Sequence, residues 1–268
     1  MRKITIIGIM GLLCVFAARA VIADTPSQAA KWSRLPDMAK GLDFSSEVKV
    51  PSLVADDWLC QGGDVTDIHW WGGYWTPVIP GNYIDYSDAR PNPVFADQQH
   101  PGVITNWAIK IYNDVPAGVD QPYSHPGNTL QWEYYPTSVQ VAETFHGTTT
   151  AGRDVYQYFV DVSSDPFHQE AGKVYWLSIQ ATLPDNYPGV QWGWHESYDH
   201  SKIPPLFPND AAVQNFEGNG WLPIQNNAYD NDMAFELTSV PEPASLASLA
   251  MGICTMSAWA FRSRKRTR

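Results

Sequence analysis

Between Asp24 and Val240 the chain is broken into short β-rich segments by clusters of Pro, Gly, Asn and Asp, and few windows carry the spacing of an amphipathic helix. That rhythm restricts the stretch to an all-β fold. Nine segments read as strands: Leu53 to Cys60, Val65 to Tyr74, Ile104 to Asn113, Thr129 to Tyr135, Ser138 to Phe145, Val155 to Val162, Val174 to Thr182, Val190 to Ser197 and Met233 to Thr238. Nine strands fit a single jelly-roll-like β-sandwich over 51–239 with long loops, preceded by a linker or arm at 24–50 that holds a helical turn at Asp37 to Gly41. Period-two alternation puts Trp107, Ile109 and Ile111 on one face, with Lys110 and Tyr112 on the other. It likewise sets Met233, Phe235 and Leu237 against Ala234 and Glu236. Those six apolar residues are the expected core.

Burial has to hold such a fold by itself. Cys14 and Cys254 lie in apolar end segments, so Cys60 is the one cysteine of the middle and has no intramolecular partner. Beside Trp58 and Leu59 it reads as a small buried apolar side chain. The supply of core material is ample, with 12 Trp, 13 Tyr and 10 Phe.

The net charge of −11 hides an asymmetry, because basic residues gather at the two ends. Between Asp24 and Val240 stand 9 basic and 27 acidic residues, a formal charge of −18. Such a surface repels phosphate backbones, which excludes nucleic acid as a partner.

The ends carry addresses. Residues 1–23 have a basic start at Arg2 and Lys3, an apolar run and small residues before Asp24, the pattern of a signal peptide cleaved by signal peptidase after Ala23. Ala244 to Phe261 is an 18-residue uncharged run. As a transmembrane helix it would span roughly 27 Å, at about 1.5 Å per residue. Arg262, Arg264, Lys265 and Arg266 follow, which orients the tail inside and the acidic domain outside. A plain membrane anchor is the simplest reading. Pro241-Glu242-Pro243 immediately before this helix, together with the basic end at 262–268, resembles the PEP-CTERM sorting signal. The resemblance covers residues 240–268. It implies recognition and cleavage by an exosortase, transient anchoring in the membrane, and final placement at the cell surface or in the extracellular matrix of a bacterium with an outer envelope.

The middle also resembles an uncharacterised domain family of secreted bacterial proteins. The residues that carry this are Ala55-Asp56-Asp57-Trp58, Val65-Thr66-Asp67-Ile68-His69, Ala108 to Pro116, Val174 to Leu177, Gly193-Trp194 with Asp199-His200, and Asp232 to Phe235. The likeness spans about Pro51 to Leu237 and implies a β-sandwich without an assigned activity. Thr76 to Gly102 is longer than that pattern expects.

Chemistry has few places to sit, and no catalytic residue is assigned. The densest polar cluster runs from Trp192 to His200. One reading buries Trp192 and Trp194 and leaves His195, Glu196, Asp199 and His200 at a solvated strand end. The other makes this rim one wall of a sugar site. In Val65 to Trp71, alternation sets Thr66, Ile68 and Trp70 against Val65, Asp67, His69 and Trp71 on a more polar face. Trp71 is thus an exposed ring, continued by Tyr74, Trp75, Tyr83 and Tyr86 as a stacking surface for exopolysaccharide, or else these rings seal a sheet edge. A hydrolase or lyase is the alternative function. A glycosidase needs two carboxyl groups about 5 Å apart or roughly 6.5–9.5 Å apart, for which Glu133, Glu143, Glu196 and Asp199 are the candidates. Neither a Gly-x-Ser-x-Gly elbow nor a His-Glu-x-x-His helix is present. Asp56, Asp57, Asp230 and Asp232 flank the first and last strands, where chain ends meet, and suit a structural Ca²⁺ if their oxygens converge. Strand-end aspartates that hydrogen-bond backbone N–H groups are the other reading of the same residues.

Overall fold

The computed structural model describes residues 29–75, 104–185, 190–198, 211–226 and 229–239. These form strands throughout, and among the described residues there is no helix. The first strands are β1 (Ala29–Arg34), β2 (Asp43–Ser45), β3 (Ser52–Leu59), β4 (Gly63–Val65) and β5 (Asp67–Trp75). There follow β6 (Asn106–Val115), β7 (His125–Tyr134), β8 (Val141–Thr148), β9 (Asp154–Asp161), β10 (Phe167–Gln169) and β11 (Val174–Thr182). The chain continues through β12 (Gln191–His195), β13 (Val213–Phe216), β14 (Trp221–Pro223), β15 (Gln225–Asn226), β16 (Tyr229–Asp230) and β17 (Phe235–Ser239).

Two antiparallel sheets dominate. A seven-stranded sheet runs β1-β17-β5-β12-β2, with β9 on the other edge of β5 and β8 beyond it. A six-stranded sheet runs β14-β13-β3-β11-β6-β7. The long strand β5 organises the first sheet: Asp67 to Trp70 pair with β17, Gly72 to Trp75 pair with β12, and β9 lies along the opposite side. The inner faces of both sheets feed one core, with Ile68, Trp70 and Trp192 from the first and Trp58, Trp107 and Leu177 from the second. Trp107 joins the layers, edge-on to Trp70 at 5.0 Å and to Trp192 at 4.9 Å between ring centroids. Such pairs add about 0.5–1.5 kcal/mol each beyond the area they bury. A side chain at Gly72 has no room, since a Cβ there would lie 2.5 Å from the Trp192 ring and 2.6 Å from the Gly193 carbonyl oxygen.

All nine expected strands are present, and Val174–Thr182 keeps its expected bounds. The expected core holds, with Ile109, Ile111, Met233, Phe235 and Leu237 at 0% exposure and Trp107 at 2%. Cys60 is buried, and burial pushes its thiol up to about 12, the state of an inert side chain. One expectation is corrected. The stretch 24–50 is not a linker over its described part, because β1 pairs with β17 and β2 with β12. Its apolar residues show no sustained period-two alternation to announce strands, and the paired neighbours β17 and β12 supply the stability that the segment lacks by itself. The turn at Asp37 to Gly41 is there as a single turn, with Gly41 N donating to the Asp37 carbonyl (3.1 Å) and Asp37 Oδ1 accepting from Ala39 N (2.8 Å) and Lys40 N (3.2 Å). The expected signal peptide, the segment 244–261 and the loop 76–102 lie outside the described residues. Among the described residues no helix is long and apolar enough to cross a membrane.

One ion pair crosses the core. On β3, Val54, Asp56 and Trp58 alternate inward, so a carboxylate enters the layer between the sheets. Arg34, at the end of β1 and 3% exposed, donates Nη1 to Asp56 Oδ2 at 3.0 Å and lies 3.2 Å from Asp232 Oδ1. Asp56 also accepts from Met233 N and from Asp57 N, both at 2.8 Å. Burial alone would lower the Arg34 pKa, but Asp56, Asp232 and Asp57 together hold it above its ordinary value. Removing one partner of such a pair leaves an uncompensated buried charge and costs about 3–5 kcal/mol, whereas replacing both with apolar groups costs far less. Arg34→Met is therefore expected to lower the unfolding free energy by at least that amount in urea titration, and adding Asp56→Leu is expected to recover only part of the loss, since Asp232 stays buried without the guanidinium and Met233 N loses its acceptor.

Candidate functional site

The polar cluster at the end of β12 faces inward. Trp192 and Trp194 are fully buried in the core, as one of the two readings had it, but His195 and Glu196 are buried as well, at 0% and 7% exposure. They fasten the N-terminal arm. His195 Nδ1 meets Asp43 Oδ1 at 2.7 Å and Nε2 meets the Asp37 carbonyl oxygen at 3.1 Å. Glu196 Oε2 accepts from Leu42 N at 3.1 Å, and its backbone exchanges two further bonds with Asp37 and Leu42. Neither side chain forms a solvated rim or presents its polar atoms to a sugar. Asp199 and His200 lie outside the described residues.

The arm also covers the expected stacking surface. Alternation assigned the faces of β5 correctly, but Trp71 is 2% exposed and packs with Val155, Ala234 and Met38 of the arm. It is not an exposed ring. Tyr74 turns into the core and donates its hydroxyl to Glu143 Oε2 at 3.0 Å. Asp67 and His69 are buried beside one another, with His69 Nε2 3.3 Å from Asp67 Oδ1, and Asp67 accepts from Thr238 Oγ1. Trp75 closes β5. Tyr83 and Tyr86 lie outside the described residues.

The aspartates proposed for Ca²⁺ divide differently. Asp56 and Asp232 do come together where chain ends meet, but around the Arg34 guanidinium, which supplies the positive charge that an ion would have brought. Asp57 points to the opposite face of β3, where it sits across from Trp176, and Asp230 closes β16. Among the described residues no group of three or more His, Cys, Asp or Glu side chains is placed to hold a metal ion. The candidate catalytic carboxylates also separate. Glu133 is on the outer face of the six-stranded sheet, Glu143 holds Tyr74, and Glu196 holds the arm.

What stays open is the outer face of the six-stranded sheet. Trp176, Ala55 and Val213 form its buried floor, with Tyr112 and Trp221 packed half-exposed against them. Tyr112 and Trp221 meet edge-to-face at 6.5 Å. Cross-strand pairing sets Lys110 beside Glu133. Lys110 Nζ lies 5.8 Å over the ring of Tyr135, which is 56% exposed and donates its hydroxyl to Glu133 Oε2 at 2.5 Å. Burial and the nearby Glu133 charge hold the Tyr112 phenol above its ordinary value, and the hydrogen bond to Glu133 pushes Tyr135 up to about 12. At the end of the same sheet β6 slips in register against β7 twice, between Ile111 and Tyr112 and between Tyr112 and Asp114. Bulges of this kind bend a strand and interrupt pairing. Beside them is an open groove of about 460 Å³, lined by Asn113, Asp114, Thr129, Gln131, Lys173 and Tyr175. Trp176 Nε1 donates to Asp114 Oδ1 at 2.8 Å and ties groove to face.

A family model described as a domain of unknown function, DUF7901, matches residues 30–238. The chain belongs to the DUF7901 family. The match starts and stops on partners, since Ala30 pairs with Thr238 across β1 and β17. This DUF7901 domain therefore includes the arm that the sequence reading had left outside. Comparison with curated proteins and with solved structures finds no match.

Of the residues on the open face, Lys110 and Tyr112 were legible as outward-facing from alternation in β6. Trp221 stands in a stretch without periodicity, and the groove depends on a register slip that no spacing announces. The arm latch of the DUF7901 domain has a pH signature. A carbonyl oxygen and a carboxylate both accept, so the site suits the imidazolium, in which both His195 nitrogens donate. Burial opposes that charge, but Asp43, the Asp37 carbonyl and Glu196 outweigh it and raise the pKa. A raised native pKa means that the stabilisation is complete below about pH 6.5, the unfolded value, and is lost as pH rises through the native one. Thermal melts from pH 5 to pH 9 are expected to show this decline, and His195→Gln is expected to start lower and lack it.

Proposed function

We propose that the protein is an exported surface or extracellular-matrix protein whose jelly-roll-like β-sandwich binds polysaccharide without cleaving it. The observation that carries the binding reading is the set of Tyr135, Tyr112 and Trp221, half-buried or exposed over an apolar floor of Trp176, Ala55 and Val213, with Lys110 and Glu133 beside them and the Asn113–Asp114 groove near by. Aromatic faces pack on the C–H groups of sugar rings, while carboxylates and amides take the hydroxyls. The Tyr135 hydroxyl, which donates to Glu133 and is pushed up to about 12, is not poised to act as a phenolate base.

Export and sorting rest on the ends of the sequence. Signal peptidase removes residues 1–23, the segment 244–261 holds the chain in the membrane, and an exosortase cuts near Pro241-Glu242-Pro243. The reading needs no nucleic acid, and it places no Ca²⁺ between Asp56 and Asp232, where Arg34 stands.

Titration of intrinsic fluorescence with soluble exopolysaccharide from the native host is expected to show binding. Tyr135→Ala is expected to weaken it up to about tenfold, the equivalent of one stacking contact. Trp71→Ala is expected to bind as the parent does while losing about 3–5 kcal/mol of stability, as for a truncated core aromatic. Parent-like binding by Tyr135→Ala would move the site elsewhere. Intact-mass analysis of surface protein is expected to find chains lacking both 1–23 and the Arg262, Arg264, Lys265 and Arg266 cluster, and mature chains that keep this cluster would remove the sorting reading.

A further inference from the structure

The charge carried by the open face narrows what it can take. Among the described residues on this face and groove, the cations are Lys110 and Lys173, and each is already engaged. Lys173 Nζ lies 2.8 Å from Glu170 Oε2, and Lys110 Nζ sits over the Tyr135 ring, beside the Glu133 carboxylate that accepts the Tyr135 hydroxyl. Against them stand Asp114 on the groove wall, Glu133 and Glu170. The other groove side chains are uncharged: Asn113, Thr129, Gln131 and Tyr175 carry hydrogen-bonding groups and Val174 is apolar. Recognition of uronate, sulfate or phosphate groups normally relies on Arg or Lys free to form charge-assisted bonds, and the face offers carboxylates in their place. The wider field points the same way, at −18 for residues 24–240.

Resting on the glycan-binding reading, we infer that the groove and its aromatic face select an uncharged polysaccharide and reject polyanionic ones. Sugar hydroxyls donate to the Asp114 and Glu133 carboxylates and to the Gln131 amide oxygen, while the Asn113 amide, which donates to the Asp114 carbonyl and accepts from Thr129 N, shapes the groove wall. A uronate at the same place would bring its carboxylate against Asp114, with no cation released to meet it.

The test uses the mature domain and two sets of soluble polymers, neutral glucans, mannans and galactans in one and polyuronates in the other. Affinities are measured between 20 mM and 300 mM salt, with a melt confirming that the protein is folded. Binding is expected to be confined to neutral polymers and to change less than about twofold across that range, because few or no ion pairs are formed or screened. Polyuronate binding that weakens with salt, alone or beside neutral binding, overturns the selectivity inferred here and leaves the glycan-binding reading standing. Binding to no polymer of either set overturns that reading, and the selectivity with it.

Discussion

The Arg34–Asp56 pair fixes how the two sheets and the first strand relate. An acid projecting from β3 into an apolar layer is costly by itself, and it is tolerated because the end of β1 brings a guanidinium to it and Met233 brings a backbone N–H. The arrangement holds three distant parts of the chain to one geometry: the N-terminal strand, the central strand of the six-stranded sheet and the approach to β17. From Arg34 the chain continues directly into the arm. The pair thus sets where the arm starts, the His195–Asp43 contact sets where it is tied down, and Met38 between them covers Trp71.

This arm explains most of the distance between sequence and structure. Alternation is a local property, and it assigned Ile68 and Trp70 to one side of β5 and Asp67, His69 and Trp71 to the other without error. It carries no information about whether a second layer lies on the far side. Strands such as Ala29–Arg34 and Asp43–Ser45 are short and lack sustained alternation, so they form because β17 and β12 offer edges to pair with, a tertiary cause that their own sequence does not register. The aspartates show the same limit from another side. Their gathering near the chain ends was legible, but the partner that gathers them is a single arginine, Arg34, on a strand the sequence pattern does not announce.

The two sheets consequently divide their work. The seven-stranded sheet spends the polar groups of its outer face on its own arm, since His195, Glu196 and Asp43 are occupied by one another and by arm backbone. The six-stranded sheet, over Tyr112, Trp221 and Tyr135, leaves its aromatic groups half-exposed or exposed. Among the described residues this face carries rings and the Glu133 carboxylate within reach of solvent, and its β6 part lies on a strand whose inner residues, Trp107, Ile109 and Ile111, alternate regularly in the sequence.

The pairing of β1 with β17 has a mechanical meaning. Ala29 stands opposite Ser239, so both ends of the folded domain leave it side by side. A tether attached at either end therefore pulls on the same corner of the seven-stranded sheet, and the load passes along β1 and β17, whose neighbouring hydrogen bonds share it. The open face belongs to the other sheet, so traction on that corner reaches it only through the core and the Arg34–Asp56 bridge. The two ends of the described fold thus share one corner, and the outer face of the six-stranded sheet lies mechanically remote from it.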